Sequence, residues 1–279
     1  MTGTLVLVPT PIGNLGDISP RAAAALGRAD FIAAEDTRVS IRLLNHLELK
    51  KPLVSYHEHN KTESGRQILQ RLQAGETCAL VTDAGTPAIS DPGEDLVRLC
   101  AEADIQITAI PGPCAAITGL AISGLPTGRF TFEGFLSVSK KSRREHLAAL
   151  EQETRTMIFY EAPHKLRMTL QDFQAAFGPD RRICMCRELT KLHEEALRMT
   201  LAQAVAYYQD NDPRGEYVLV LEGATAPQAQ APSLEDCLSK ISQLRNQGLS
   251  LKDAVRQVSK ESGVPRNTLY DAALSDQTL

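Results

Sequence analysis

The chain has 279 residues, 43% of them hydrophobic, and a formal net charge of −4, so a large buried core is affordable in one or two domains. The mild acidity excludes a sweeping cationic surface, and any nucleic-acid partner must be held by local basic patches. No apolar run approaches the roughly 20 residues that a membrane helix needs, and neither a basic leader nor paired cysteine spacing is present, so a cytoplasmic protein with reduced thiols and no membrane association is expected.

Strands and helices alternate through the first half. Strands are predicted near 4–9, 31–34, 52–55, 77–82 and 105–110, with helices near 20–28, 38–47, 64–74, 94–103 and 113–123. That order implies parallel strands joined by right-handed crossovers. The turn-rich Gly124-Leu-Pro-Thr-Gly128 marks a boundary, so residues 1–124 read as one α/β domain and 125–223 as a second. The second should carry strands near 130–136, 156–161, 182–188, 195–200 and 216–222, with helices near 142–150, 164–177 and 201–209. The strands at 182–188 and 195–200 are close enough to form a hairpin, which makes this half mixed rather than all parallel. Residues 224–233, small and proline-punctuated, have linker composition, and 234–279 form a helical tail. In the tail Leu251, Ala254, Val255 and Val258 follow helical spacing, Gly263 ends that helix and Pro265 can begin the next. A helix-turn-helix and a plain helical hairpin both fit this pattern.

Two strand-end loops hold the chemistry. Residues 80–93, Leu-Val-Thr-Asp-Ala-Gly-Thr-Pro-Ala-Ile-Ser-Asp-Pro-Gly, concentrate Gly, Pro and Asp after a buried-strand pattern, and Pro111-Gly-Pro-Cys-Ala-Ala116 repeats the theme. Open α/β sheets bind ligands at such loops. Asp83 and Gly85 read as ligand contacts, whereas Asp91 can either face a ligand or cap the following helix. The first loop, Val8-Pro-Thr-Pro-Ile-Gly-Asn-Leu-Gly-Asp17, lacks the GxGxxG that a dinucleotide pyrophosphate needs, and no GxxxxGK[ST] occurs. His57-x-His59 is a poor ligand set with no further Cys or His cluster, so no metal is expected.

The segments VPTPIGNLGDIS (8–19), AEDTR (34–38), YHEHN (56–60), VTDAGTPAISDPG (81–93), PGPCAAITGL (111–120), FEGFL (132–136), FYEAPHKL (159–166), RELTKLHEE (187–195) and RGEYVLVLEG (214–223), together and in order, resemble the ribosomal RNA small subunit methyltransferase I family. This is a branch of the tetrapyrrole-methylase-like S-adenosylmethionine enzymes. The resemblance implies two α/β domains with the cofactor, S-adenosyl-L-methionine, in the cleft between them, a homodimer, and 2′-O-methylation of a cytidine in the decoding region of small-subunit rRNA. The C-terminal helices resemble that branch's extension. Many relatives in the wider superfamily carry VGxGPGD where this chain has VPTPIGN, which argues against tetrapyrrole precursors as substrates. Carried over by position, the cofactor contacts are Pro11, Asp83, Gly85, Pro87, Ile89, Ser90, Pro111, Ala115, Ala116, Phe159, Tyr160, Arg214, Gly215 and Glu216.

A ribose hydroxyl is a poor nucleophile until its proton is removed or hydrogen-bonded away. Glu35, Asp36, Glu133, Glu161 and Glu188 are candidate bases, with Glu35 and Asp36 preferred because they follow a buried strand. Lys140-Lys141-Ser-Arg143-Arg144 is the conspicuous basic run, expected on an exposed loop and assigned to phosphate contacts with rRNA or an assembled small subunit. Two other readings compete: a methylase of small tetrapyrrole-type substrates, and a DNA-binding regulator acting through helices 252–261 and 266–274.

Overall fold

The computed structural model describes residues 2–225 and 233–275; most of the linker expected at 224–233, and residues 276–279, lie outside the described residues. The chain divides into two compact units, one carrying two sheets and the other the C-terminal helices.

The first sheet holds β1 (Thr4–Leu7), β2 (Phe31–Ala34), β3 (Leu53–Ser55), β4 (Cys78–Val81) and β5 (Gln106–Ala109), in the order β3-β2-β4-β1-β5 and parallel throughout. Strand alternation divides its core. Phe31, Ala33, Cys78 and Leu80 pack beneath Ile68 and Leu72 of α3 (Lys61–Gln73) and Leu96 of α4 (Gly93–Glu102). Ile32, Ala34, Ala79 and Val81 face Ala22 and Leu26 of α1 (Pro20–Arg28) and Leu43 and Leu44 of α2 (Thr37–His46). Helices on both faces explain why β2 and β4 read as unbroken apolar runs. Helix α1 starts where Ser19 Oγ accepts from Ala22 N–H at 3.1 Å and Pro20 supplies a preset φ.

Connection geometry then locates a crevice. From β1 the chain crosses by α1 toward β2, whereas from β4 it crosses by α4 past β1 to β5. Neighbouring strands whose crossovers depart in opposite directions leave an opening at their carboxyl ends.

The second sheet runs β6-β7-β10-β8-β9, from β6 (Phe130–Phe135), β7 (Thr156–Glu161), β8 (Arg182–Arg187), β9 (Glu195–Thr200) and β10 (Tyr217–Leu221). Strands β6 and β7 are parallel, and the other pairings are antiparallel, including the expected hairpin of β8 with β9. One face is covered by α6 (Lys140–Ala149), α7 (Pro163–Phe177) and α8 (Leu201–Asp210), around Phe159, Phe173 and Leu219.

The opposite face is covered by α5 (Ala115–Ser123), which precedes the expected boundary at 124 yet packs on the later sheet: Ala116 and Leu120 meet Ile158, Cys186 and Val218. Arg198 of β9 donates from Nε to Ser123 O at 3.1 Å and from a terminal nitrogen to Ile122 O, supplying a cation at the helix C-terminus. A Cβ on Gly119 would stand 2.9 Å from Val218 Cγ1. Gly119→Val is therefore expected to lower stability by roughly 1–3 kcal/mol through overpacking, read by urea denaturation.

In the second unit, α9 (Leu234–Asn246), α10 (Leu251–Ser262) and α11 (Arg266–Ser275) enclose Ile241, Ala254, Val255, Val258, Leu269 and Ala273. Gly263 closes α10 at φ 74°, and Ser259 Oγ donates to Val264 O at 2.7 Å, setting the turn into α11. Among the described residues, no helix is long and apolar enough to cross a membrane.

Candidate active site

A cleft of about 480 Å³ opens at the crevice that the strand order defines. The first sheet contributes Ile12 after β1, Glu35 after β2, Thr82 to Thr86 and Ile89 to Asp91 after β4, and Cys114 with Ala115 after β5. The second contributes Phe135 at the end of β6, Tyr160 to Pro163 at the end of β7, Cys186 and Leu189 around the end of β8, and Glu216 to Val218 at the start of β10. Because β10 runs antiparallel to β7 and β8, its start lies at their carboxyl ends.

The loops are tied to one another. Thr10 N–H donates to Gly85 O at 2.9 Å, Gly85 N–H returns a bond to Thr10 O at 3.1 Å, and Thr86 Oγ1 donates to Pro113 O at 2.9 Å. Gly85 sits at φ 89°, and Ala88 and Ser90 also hold left-handed backbone, at 67° and 62°. Such conformations persist where surrounding structure over-determines them, commonly at binding sites. On the other wall, Glu188 and Thr190 hold φ 52° and 66°. Lys191 Nζ bridges Glu188 and Glu216 at 2.9 Å each, and a Cβ on Gly13 would meet Lys191 Cγ at 2.5 Å. The first loop therefore presses directly on the 188–191 turn.

The acidic groups separate by surroundings. Glu35 lines the cleft and accepts from Thr82 Oγ1 at 2.7 Å. Asp83 accepts Asp36 N–H at 3.0 Å, and partial desolvation together with neighbouring Glu35 raises its pKa. Asp36 is instead the N-cap of α2: Arg38 donates to it from its backbone N–H, from Nε and from a terminal nitrogen, and these bonds hold its pKa at about 2. A carboxylate so acidic is a poor proton acceptor. Asp91 accepts from Gly93 N–H at 2.7 Å and Ile89 N–H at 3.3 Å, so its carboxylate shapes the loop. Glu133 pairs with His146 at 2.9 Å, and Glu188 with Lys191. Among the described residues no group of three or more His, Cys, Asp or Glu is placed to hold a metal ion.

Of the residues nominated for the cofactor, Asp83, Gly85, Ile89, Ser90, Ala115, Tyr160 and Glu216 line the cleft. Pro11, Pro87, Pro111, Ala116, Phe159, Arg214 and Gly215 do not. Ala116 N–H and Arg214 N–H donate to the hydroxyls of Tyr160, at 3.1 Å, and Tyr217, at 3.2 Å. Gly215, at φ 75°, leaves room for Glu188, whose Oε1 would lie 2.4 Å from an added Cβ. Two expectations need correction. Phe159 points away from the cleft, because alternation along β7 sends it into the core against Phe173 at 4.8 Å, while Tyr160 faces the cleft. The basic run lies on α6 rather than a loop, and its Arg143 is only 4% exposed. Arg143 pairs through Nε with Asp172 and donates to Thr169 Oγ1 at 2.8 Å, and Thr169 donates to buried Glu161 at 2.5 Å. Lys140, Lys141 and Arg144 remain exposed. Thr82, Phe135, Leu189 and Val218 line the cleft without a motif that assigns them there; for Phe135, the glycine inside its strand was an available signal.

Residues 4–205 match the family model of tetrapyrrole (corrin/porphyrin) methylases, and 234–277 match the RsmI C-terminal HTH domain. The ribosomal RNA small subunit methyltransferase I of Synechocystis sp. is 48% identical over 272 residues, covering 98% of each chain. The chain belongs to the tetrapyrrole methylase family, in this ribosomal RNA small subunit methyltransferase I branch. The Escherichia coli O157:H7 protein of the same name is 44% identical, covering 99% of this chain and 96% of that one. A cobalt precorrin-4 methyltransferase crystal structure superposes with a TM-score of 0.59 at 17% identity, covering 78% of this chain and 94% of that one, a likeness of fold alone. Family membership makes the chain a methyltransferase, and the family's C-terminal domain favours the helix-turn-helix reading of α10 and α11 over a plain hairpin.

Proposed function

We propose that the chain transfers a methyl group from S-adenosyl-L-methionine to the ribose 2′-oxygen of a cytidine in the decoding region of small-subunit rRNA. The observation that carries this reading is the cleft where both sheets end, with Glu35 and Asp83 on one wall and Tyr160, Leu189 and Val218 on the other. The relatives' shared name supplies the substrate class.

The donor set suits S-adenosyl-L-methionine. Carboxylates favour a sulfonium, apolar walls favour its adenosyl part, and Gly85, at φ 89°, holds a backbone that L side chains rarely adopt and leaves the loop bare beside Ile12 and Pro113. Asp83, Gly85, Ala115 and Tyr160 would hold it. When bound, the cofactor supplies an activated methyl carbon whose leaving group departs neutral and needs no acid. The protein's part is to orient the incoming hydroxyl, where positioning alone is worth effective molarities of ~10⁵–10⁸ M, and to relieve it of its proton. Glu35 is the candidate acceptor, because it lines the cleft while Asp36 is committed to Arg38.

Lys140, Lys141 and Arg144 are assigned to RNA phosphates. Neutralising all three should reduce the salt slope of RNA binding by about 3 and leave cofactor affinity unchanged. The activity itself is tested by tritiated methyl transfer to small subunits lacking the modification, followed by nucleoside mapping. Label in the ribose of one cytidine is expected; label in a base overturns the reaction.

A further inference from the structure

Strand β6 carries a bulge: Phe132 pairs with Ile158, but Gly134 pairs with Phe159 and Phe135 with Tyr160. With ordinary alternation, side chains three apart face opposite sides of a sheet. The extra residue instead places Phe132 and Phe135 on the same face, with Tyr160 between them: ring centroids are 5.1 Å from Tyr160 for Phe132 and 5.5 Å for Phe135. Gly134, at φ 63°, makes the bulge possible, and a Cβ there would reach within 3.1 Å of Ser90 Oγ on the opposite wall. Bulges beside active sites commonly re-aim one side chain. Here the re-aimed ring is at the cleft, 58% exposed, backed by Tyr160 and otherwise open to solvent.

Leaving a phenylalanine this exposed forgoes burial that its neighbour Leu136 obtains in the core. The chain downstream carries Val138, 79% exposed, and then the cations Lys140 and Lys141. An open aromatic face followed by cations is the combination by which proteins hold unpaired nucleotides, stacking the base and pairing the phosphates. We propose that Phe135 is the platform on which the base of an unpaired RNA nucleotide stacks as its strand enters the cleft. The inference rests on the RNA-methylation reading and deepens it. The donor's adenine is the other source of a stacking base, but the run of cations points to a polyanion, and the ring's large exposure suits a ligand arriving from outside.

The test compares Phe135→Tyr, Phe135→Leu and Phe135→Ala. Methyl transfer is measured against small-subunit concentration, and S-adenosylhomocysteine binding by calorimetry. Leu keeps apolar bulk but lacks a planar face, so Leu and Ala are both expected to raise KM for the small subunit roughly tenfold, whereas Tyr stays near wild type. Affinity for S-adenosylhomocysteine should be unchanged in all three, which also reports that each variant is folded. Wild-type KM in the Leu variant overturns the platform, and a parallel loss of S-adenosylhomocysteine affinity reassigns Phe135 to the donor. Absence of transfer by the wild-type protein itself would instead strike the underlying RNA reading.

Discussion

Arg143→Met is expected to unfold at markedly lower urea concentration than the wild type, losing about 3 kcal/mol, while Lys140→Met and Lys141→Met stay within about 0.5 kcal/mol. The four cations of this run look alike in sequence, but one of them is held inside the fold by hydrogen bonds. Arg143 donates to Thr169, Thr169 donates to Glu161, and Glu161 is 4% exposed. Removing the guanidinium deprives Thr169 of its donor and Asp172 of its ion pair, and leaves a gap at a site only 4% exposed. The salt bridge to Asp172 adds less, since that carboxylate is partly exposed and screened. Arg143→Lys should restore only part of the loss, because an ammonium lacks the planar fork that reaches Thr169 and Asp172 together. Equal effects across all the cations would show that Arg143 does not hold this position.

Asp83→Asn is expected to weaken binding of S-adenosyl-L-methionine about tenfold and that of the neutral sulfide product by less, measured by calorimetry with both ligands. The difference isolates the charge, because Asn preserves shape and can still accept the Asp36 N–H. The pH dependence has a definite sign. The raised pKa of Asp83 means that acidification neutralises it before ordinary carboxylates, so donor affinity should fall as pH drops through that range. Around it, Glu35 and Asp36 oppose its ionisation and Arg38 favours it. In Asp83→Asn the Asp83 part of this dependence disappears. Equal loss for both ligands would move the role of Asp83 from charge to loop shape.

Much of the candidate site was legible because strand ends announce themselves. The strands ending at Val81 and Ala109 stop in Gly- and Pro-rich loops, and those loops line or brace the cleft. For residues on strands, a motif does not encode which face each side chain takes. Phe159 and Tyr160 are adjacent in one motif, and only the sheet's facing decides that Tyr160 meets the cleft while Phe159 enters the core. Asp36 and Glu35 are likewise neighbours, but capping α2 commits one of them to Arg38.

The order of elements, the parallel first sheet, the hairpin of the second and the loops where ligands approach can all be read from residue order, because they follow from local periodicity and turn chemistry. The packing of α5 on the second sheet, the β6 bulge that turns Phe135 to the cleft and the burial of Arg143 emerge in the folded chain alone. Each of those depends on contacts between segments far apart in the chain. Burial, charge compensation and strand register are properties of the pair, and a single segment carries no record of its partner.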